Sequence, residues 1–214
     1  MLKFILIILD GFGIRKETDG NAFALAHTPQ LDDMLNNHPV ASLQASGKFV
    51  GLPNGVMGNS EVGHMNIGAG RIVKQDLVRI NDSIKDGSLE NNSNLQALFE
   101  QVKQNQSTLH LIGLLSDGGV HSHIDHLEYI INVAAKNSVR NLVVHAITDG
   151  RDTAPDSAGK YVYRLESFLQ QYSGYTIGTV CGRYYAMDRD SRWDRIEKGY
   201  RLYIHREGKI FNSA

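Results

Sequence analysis

The feature that most constrains the fold is a regular alternation of strand-like and helix-like segments after residue 75. Apolar runs rich in β-branched residues cover 108–115, 141–147 and 175–181, and each of these predicts a strand. Between them, apolar residues recur at helical spacing, as at Leu95, Phe99 and Val102. Strands and helices in this order predict an α/β fold with a parallel sheet covered by helices.

The first part of the chain has a different pattern. The uninterrupted apolar run 4–9 predicts a strand that is buried on both faces. Residues 21–37 predict helix that is broken near Pro29, and the glycine-dense stretch 46–71 predicts a long loop with at most one short helix. Long loops in compact domains are usually functional, so this stretch is a candidate site. Near the other end, the sequence predicts a helix that opens at Pro155 and a last helix over 193–203.

Charge and cysteine content exclude several classes of protein. Lys and Arg number 22 against 23 Asp and Glu, and a net charge of -1 offers no general reason to bind nucleic acid or an anionic membrane. The single cysteine, Cys181, excludes an internal disulfide framework and a cysteine-based zinc cage, and it fits a reducing compartment. The run 4–9 is shorter than the about 20 residues of a membrane helix and lacks a signal-peptide cleavage site. We therefore expect a cytoplasmic protein.

Polar residues follow the end of every predicted strand. These clusters are 10–13, 116–119 followed by His121, 148–152, and 182–183 followed by Arg189. Ligands of open α/β sheets bind beyond the carboxyl ends of the strands. The four clusters together predict an active site at that edge of the sheet.

Arginines in these clusters indicate an anionic ligand. Arg151 and Arg183 come just after predicted strands, where a guanidinium fork could bind phosphate or carboxylate oxygens. A small dianion fits this pattern better than a polymer does. Arg192 and Arg195 lie at a predicted helix start, and for these two we favour surface salt bridges with neighbouring aspartates.

Asp10 and Ser60 each allow two interpretations. Asp10 ends the predicted buried strand, where a lone carboxylate would be costly to desolvate, so it either binds a metal ion or caps the backbone amides of 11–13. Ser60, within the segment 58–64, could carry a phosphoryl group at a helix start, with a metal to activate it. Taken alone, Ser60 is more simply interpreted as an N-cap.

A short histidine motif suggests a different enzyme class. The segment His121-Ser122-His123-Ile124-Asp125-His126 matches the His-x-His-x-Asp-His pattern of dinuclear zinc hydrolases. Chance produces six matching residues easily, and we favour solvated or helix-capping roles for His123 and His126.

Five longer segments point to one family. They are ILDGFG at 8–13, GNSEVGHMNIGAGR at 58–71, LLSDGGVHSH at 114–123, HAITDGRDTAP at 145–155 and GRYYAMDRDSRWDR at 182–195. In these motifs, and in their order and spacing, the chain resembles the N-terminal part of the cofactor-independent phosphoglycerate mutases.

The resemblance implies a fold and a set of site residues. It implies a parallel-sheet α/β sandwich, with residues 1–74 as the first part of an alkaline-phosphatase-like metal-binding domain and 75–214 as an incomplete inserted transferase domain. Asp10 and Ser60 match manganese ligands of a site for two Mn²⁺ ions, and Ser60 also matches the serine nucleophile. The substrate-binding positions of the family correspond to His121, Arg151, Asp152, Arg183 and Arg189.

The resemblance also implies a reaction. Members interconvert 3-phosphoglycerate and 2-phosphoglycerate in glycolysis and gluconeogenesis through a phosphoserine, here at Ser60, and Asp152 is a candidate for exchanging the proton of the accepting hydroxyl. The expected partner is this small substrate, and the expected complete protein is a monomer. The family's remaining metal ligands lie in a C-terminal part, so this chain is expected to be a fragment. The alternative is a non-catalytic piece that at most binds phosphoglycerate.

Overall fold

The structure, a computed structural model, describes residues 3–212. These residues fall into two compact units that divide between Gln75 and Asp76. None of the helices in the described part is both long and apolar enough to cross a bilayer.

The first unit consists of short helices and loops. Its elements are α1 (Ala22–Leu25), α2 (Pro29–Asn37), a 3-10 turn (Gly47–Val50) and α3 (Ser60–Ala69). The helix break expected near Pro29 is confirmed, and Pro29 is the first residue of α2, where its missing N–H costs nothing. The glycine-dense stretch contains one α-helix, the ten-residue α3, beside the 3-10 turn, which agrees with the expected loop that has one short helix.

The strand predicted over 4–9 is wrong for this structure. No strand is assigned there, and the apolar side chains face solvent: Phe4 is 86% exposed, Ile5 81% and Ile7 77%. A strand exists only through hydrogen bonds to a neighbour, and the part of this unit that is described contains no other strand. The side-chain pattern of 4–9 therefore indicates a buried strand, but no strand among the described residues of this unit is there to bind its backbone.

The second unit alternates helices and strands as predicted. In chain order it contains α4 (Asp76–Lys85), α5 (Ser93–Gln104), β1 (Leu109–Leu115), α6 (Ile124–Lys136), β2 (Leu142–Thr148), α7 (Ala158–Leu169), β3 (Tyr175–Gly182), α8 (Arg183–Ala186), α9 (Trp193–Tyr200) and a π-helical turn (Arg201–His205). Helices α4 and α8 were not predicted from the sequence, and α8 is a single turn, too short to show a period. It also placed the start of α7 too early, because Pro155 lies in the turn before Ala158.

The three strands form one parallel sheet in the order β1-β2-β3. This confirms the predicted α/β class with a parallel sheet. Leu115 pairs with Thr148, and Thr148 pairs with Gly182, so the three strands end side by side. The loops that follow them therefore start at one edge of the sheet.

The hydrophobic core of this unit lies between the sheet and helices α5, α6 and α7. Each helix contributes a fully buried side chain, namely Phe99, Ile131 and Leu165, which pack with strand residues such as Leu142 and Val144. This core holds the strand ends in register, and the site loops depend on it.

Replacing Leu165 with alanine is expected to lower the free energy of unfolding by about 3 kcal/mol, since it leaves a cavity in a closely packed core. Urea unfolding followed by circular dichroism measures the change. The matched control is Tyr163→Ala on the same helix, because Tyr163 is 72% exposed, and its effect should stay within about 0.5 kcal/mol. Equal losses in both variants would contradict this description of the core.

Candidate functional site

Asp149, the first residue after β2, lies at the centre of the loops at the strand ends. Its side chain is only 1% exposed. Oδ2 accepts a hydrogen bond from the Ser116 hydroxyl, which follows β1, at 2.6 Å. Oδ1 accepts from the backbone N–H groups of Arg151 and Asp152, at 3.1 and 3.0 Å, and from Arg183 Nη1 at 2.7 Å. One carboxylate therefore connects the loops that follow all three strands.

Arg183, the first residue after β3, bridges two carboxylates. Its Nη1 donates to Asp149 Oδ1 and to Asp152 Oδ2, each at 2.7 Å, and its side chain is 13% exposed. The hydrogen bond to Asp152, with a further bond to Asp149, outweighs burial and raises the pKa of Arg183. Both contacts use Nη1, and neither Nε nor Nη2 donates a hydrogen bond to any residue within 3–212. This second edge of the guanidinium is available to a ligand.

His121 lies next to this cluster. Its Nε2 is 3.8 Å from Asp152 Oδ2, an ion pair when the imidazole is protonated. The fold thus brings three of the predicted substrate-binding residues together, in the order His121, Asp152 and Arg183.

The other two predicted binding arginines, Arg151 and Arg189, are exposed. Neither side chain has an ion pair or hydrogen bond with any described residue. An exposed guanidinium group that has no partner in the described part of the chain can bind an incoming anion.

Arg195 makes the salt bridge that the sequence predicts, although its partner Asp188 is only 3% exposed and so does not lie on the surface. Its Nη1 lies 3.4 Å from Asp188 Oδ1, and its guanidinium stacks 4.0 Å from the ring centre of Tyr184. Arg192 contacts Asp188 too, but through its backbone N–H at 2.9 Å and not through an ion pair of its side chain.

A second polar contact holds the loop after β1. The Tyr161 hydroxyl donates a hydrogen bond to Asp117, and Lys160 Nζ lies 3.6 Å from the same carboxylate. The bond from Tyr161 lowers the pKa of Asp117 and raises the pKa of Tyr161. Gly118 permits the close approach of the next loop, since a Cβ there would lie 3.0 Å from Asp152 Cβ.

Asp149 and Ser116 belong to the strand-end clusters seen in the sequence, but neither has a predicted role there. Ser116 directly follows the predicted strand 108–115, and Asp149 comes two positions after the end of the predicted strand 141–147; Ser116 is also buried. A polar residue at the point where a buried strand ends is the signal that could have identified them.

Asp149 also makes the stability of the second unit depend on pH. Burial would raise the pKa of this carboxyl, but the hydrogen bonds from Ser116, the Asp152 amide, Arg183 and the Arg151 amide outweigh it and lower the pKa from 3.8 to about 2. A depressed pKa in the folded state stabilises the fold above the unfolded value, and this stabilisation is lost as the pH falls from about 4 to about 2. The loss should be about 2 kcal/mol.

Urea unfolding at a series of pH values between about 5 and 2.5 tests this expectation. The difference in stability between the wild type and Asp149→Asn should shrink as the pH falls through this window. Asp156→Asn is the control, because Asp156 is an exposed carboxylate on the same loop. A difference that stays constant with pH would show that the Asp149 charge does not stabilise the fold.

In the first unit, Ser60 and Asp10 are in direct contact. Ser60 Oγ donates to Asp10 Oδ2 at 2.7 Å, and His64 Nδ1 lies 3.3 Å from the same hydroxyl. The N-cap of α3 is Asn59, whose side chain accepts from the Val62 amide, so the N-cap interpretation of Ser60 is wrong. Asp10 is exposed and bonds Ser60, so the interpretations that it ends a buried strand or caps residues 11–13 are also not observed.

Asp10 and Ser60 offer part of a metal site. A carboxylate oxygen and a hydroxyl oxygen 2.7 Å apart are donors of the kind that hard divalent cations take. Within residues 3–212 no group of three or more His, Cys, Asp or Glu is arranged to hold a metal ion. The donor set fits such a cation but does not complete its coordination shell.

The histidines of the zinc-hydrolase motif have local roles. His123 is the N-cap of α6, where Nδ1 accepts from the Asp125 amide at 3.2 Å, and His126 Nε2 lies 2.6 Å from Asn81 Oδ1. Burial lowers the pKa of His126, with a further contribution from His123. These contacts agree with the helix-capping interpretation of His123.

Comparisons with known proteins identify similar sequences and a similar structure. Residues 80–214 match the family model described as BPG-independent PGAM N-terminus. The chain is 51% identical over 210 residues to a 2,3-bisphosphoglycerate-independent phosphoglycerate mutase of Clostridium botulinum and 54% identical over 210 residues to that of a Cyanothece strain. These matches cover 98% of this chain, which spans 41% and 40% of the two relatives' lengths.

A solved structure agrees with these matches. It is the Leishmania mexicana phosphoglycerate mutase crystallised at low cobalt concentration, with a TM-score of 0.73 and 38% identity. The similarity covers 97% of this chain and 39% of that one.

Proposed function

Because the chain belongs to the BPG-independent phosphoglycerate mutase family, we propose that it supplies the nucleophile and part of the substrate site for interconverting 3-phosphoglycerate and 2-phosphoglycerate. The observation that carries this proposal is the cluster of His121, Asp152 and Arg183 at the strand ends, with an open guanidinium edge. Such an edge fits a carboxylate or phosphate group. The substrate is a small molecule that has both.

In the proposed mechanism Ser60 Oγ loses its hydroxyl proton and attacks the phosphorus of 3-phosphoglycerate. A bond forms between Oγ and phosphorus, the bond from phosphorus to the C3 oxygen breaks, and that oxygen takes a proton. The bound glycerate then reorients, and its C2 oxygen loses its proton and attacks the phosphoserine. The bond between Oγ and phosphorus breaks, and Ser60 Oγ takes up a proton to return to the hydroxyl. Asp10 Oδ2, as hydrogen-bond acceptor of the Ser60 hydroxyl, orients Oγ for the first attack.

Helix α3 favours a phosphoryl group on Ser60. Ser60 is its first residue, so the positive end of the helix dipole lies beside the group. Two divalent ions, for which we propose Mn²⁺, would when bound favour the serine alkoxide and neutralise phosphoryl charge. Asp10 and Ser60 would hold such an ion together with ligands from other residues.

The second unit holds the glycerate while it reorients. The open edge of Arg183, with Arg151, Arg189 and His121, would bind its carboxylate and hydroxyl groups. Asp152 is the proposed group for exchanging the proton of the accepting hydroxyl. Normal turnover in an Asp152→Asn variant would refute this last role.

We propose the domain assignment that the resemblance implies. Residues 1–74 would be the first part of an alkaline-phosphatase-like domain, in which 4–9 pairs with strands from further residues, and 75–214 would be part of an inserted transferase domain. The exposed apolar run 4–9 supports this, since its pattern suits a strand buried on both faces. A monomer in the cytoplasm remains the proposed state of the complete protein.

Titration of the 214-residue chain with 3-phosphoglycerate in a calorimeter tests the substrate site. We expect binding that is lost when sulfate or phosphate competes in excess, and glycerol should not compete. A parallel mutase assay with Mn²⁺ separates a complete enzyme from the second candidate, a piece that binds without turnover. That candidate is favoured by the incomplete donor set around Asp10 and Ser60. A chain that neither binds nor turns over would refute the proposal.

A further inference from the structure

Asp149 accepts four hydrogen bonds, which is more than an exposed surface carboxylate needs from the protein. It is buried, and it accepts from the loop after β1, from two amides of its own loop and from Arg183 after β3. Its side chain is only 1% exposed and its two oxygens already accept from four donors, so it has no open route to a ligand. Any part that it takes in substrate binding must therefore act through another residue.

Arg183 is the residue through which it can act. An arginine side chain has several rotatable bonds, and binding an anion would require it to adopt one orientation. Asp149 and Asp152 both hold Nη1, so the plane of the guanidinium is fixed before a ligand arrives. Of the two, Asp152 is also next to His121, whereas Asp149 is fixed on its other side by Ser116.

We propose that Asp149 is a positioning residue that, braced by the Ser116 hydroxyl, orients Arg183 so that its Nε–Nη2 edge is presented to the carboxylate or phosphate of the substrate. This inference rests on the proposed function for the identity of the substrate. The orientation of Arg183 itself does not depend on it.

Because Asp149 is negatively charged, a positioning role and a purely electrostatic role predict opposite changes in substrate binding when it is neutralised. Asp149 and Asp152 together place two negative charges on one guanidinium, so neutralising Asp149 makes the cluster more attractive to an anion. An electrostatic role alone therefore predicts tighter substrate binding in Asp149→Asn. A positioning role predicts weaker binding, because the ordered guanidinium is lost.

The test measures binding and orientation separately in the 214-residue chain. Calorimetry with 3-phosphoglycerate should show about tenfold to hundredfold weaker binding for Asp149→Asn. This fold-change corresponds to the free energy of one charge-assisted hydrogen bond. Nitrogen NMR without substrate should show slowly exchanging Arg183 side-chain signals in the wild type and averaged signals in the variant. Asp156→Asn, on the same loop, should match the wild type in both measurements.

The outcomes are decisive in each arm. Unchanged or tighter binding in Asp149→Asn, together with unchanged Arg183 signals, would overturn the proposal. If the wild-type chain does not bind 3-phosphoglycerate, the proposed function fails, and the NMR comparison still decides whether Asp149 orders Arg183.

If Asp149→Asn does not fold, Ser116→Ala provides the test, because it removes the hydroxyl that braces Asp149 and leaves the carboxylate in place. We expect several-fold weaker binding and partly averaged Arg183 signals in this variant.

Discussion

Replacing Ser60 with alanine is expected to reduce mutase turnover by at least about 10⁴-fold, because it removes the oxygen that accepts the phosphoryl group. Turnover is best measured in a chimera in which this chain replaces the matching 210 residues of the Clostridium botulinum relative. The chimera supplies the part of the relatives that this chain does not span. In the same protein, rapid acid quenching and mass spectrometry should find phosphate on Ser60, and no phosphate on the alanine variant.

The matched control for this experiment is Ser46→Ala, an exposed serine of the same unit whose side chain makes no capping hydrogen bond. It should retain both turnover and the phosphorylated peptide. An active chimera that never carries phosphate on Ser60, or an active Ser60→Ala variant, would refute the phosphoserine mechanism.

Replacing Arg183 with alanine is expected to lower the free energy of unfolding of the second unit by about 4 kcal/mol, since it leaves the buried Asp149 carboxylate without its cation. The same change should abolish measurable binding of 3-phosphoglycerate. Urea unfolding and calorimetry on the 214-residue chain measure the two effects.

Arg189→Ala separates these effects. Arg189 is exposed and has no side-chain partner among the described residues, so its loss should weaken binding but change stability by no more than about 0.5 kcal/mol. The double variant Asp149→Asn with Arg183→Ala should recover part of the stability that Arg183→Ala loses, because no buried charge is then unpaired. If Arg183→Ala were as stable as the wild type, the buried ion pair would not be a structural element of this site.

Local patterns predicted the elements of the second unit well. The apolar periodicity around Phe99 and the run 108–115 correspond to α5 and β1, because side chains that pack on one face must recur at the period of the backbone. The same reasoning failed for 4–9, where the pattern fits a strand but no described neighbour supplies its hydrogen bonds. The N-cap interpretation of Ser60 was also wrong, because Asn59, one residue earlier, makes the capping hydrogen bond.

The sequence alone determined the α/β class, the family motifs and which residues stand at the strand ends. The tertiary structure decided which of those residues work together. Asp117, Asp149 and Asp152 look equivalent in the sequence, yet Asp117 bonds Tyr161, Asp149 bonds Ser116 and Arg183, and Asp152 shares Arg183 beside His121. The reason is physical: hydrogen bonds between loops depend on strand register and on distances of a few ångströms across the sheet, and residues more than 30 positions apart carry no local pattern that records them.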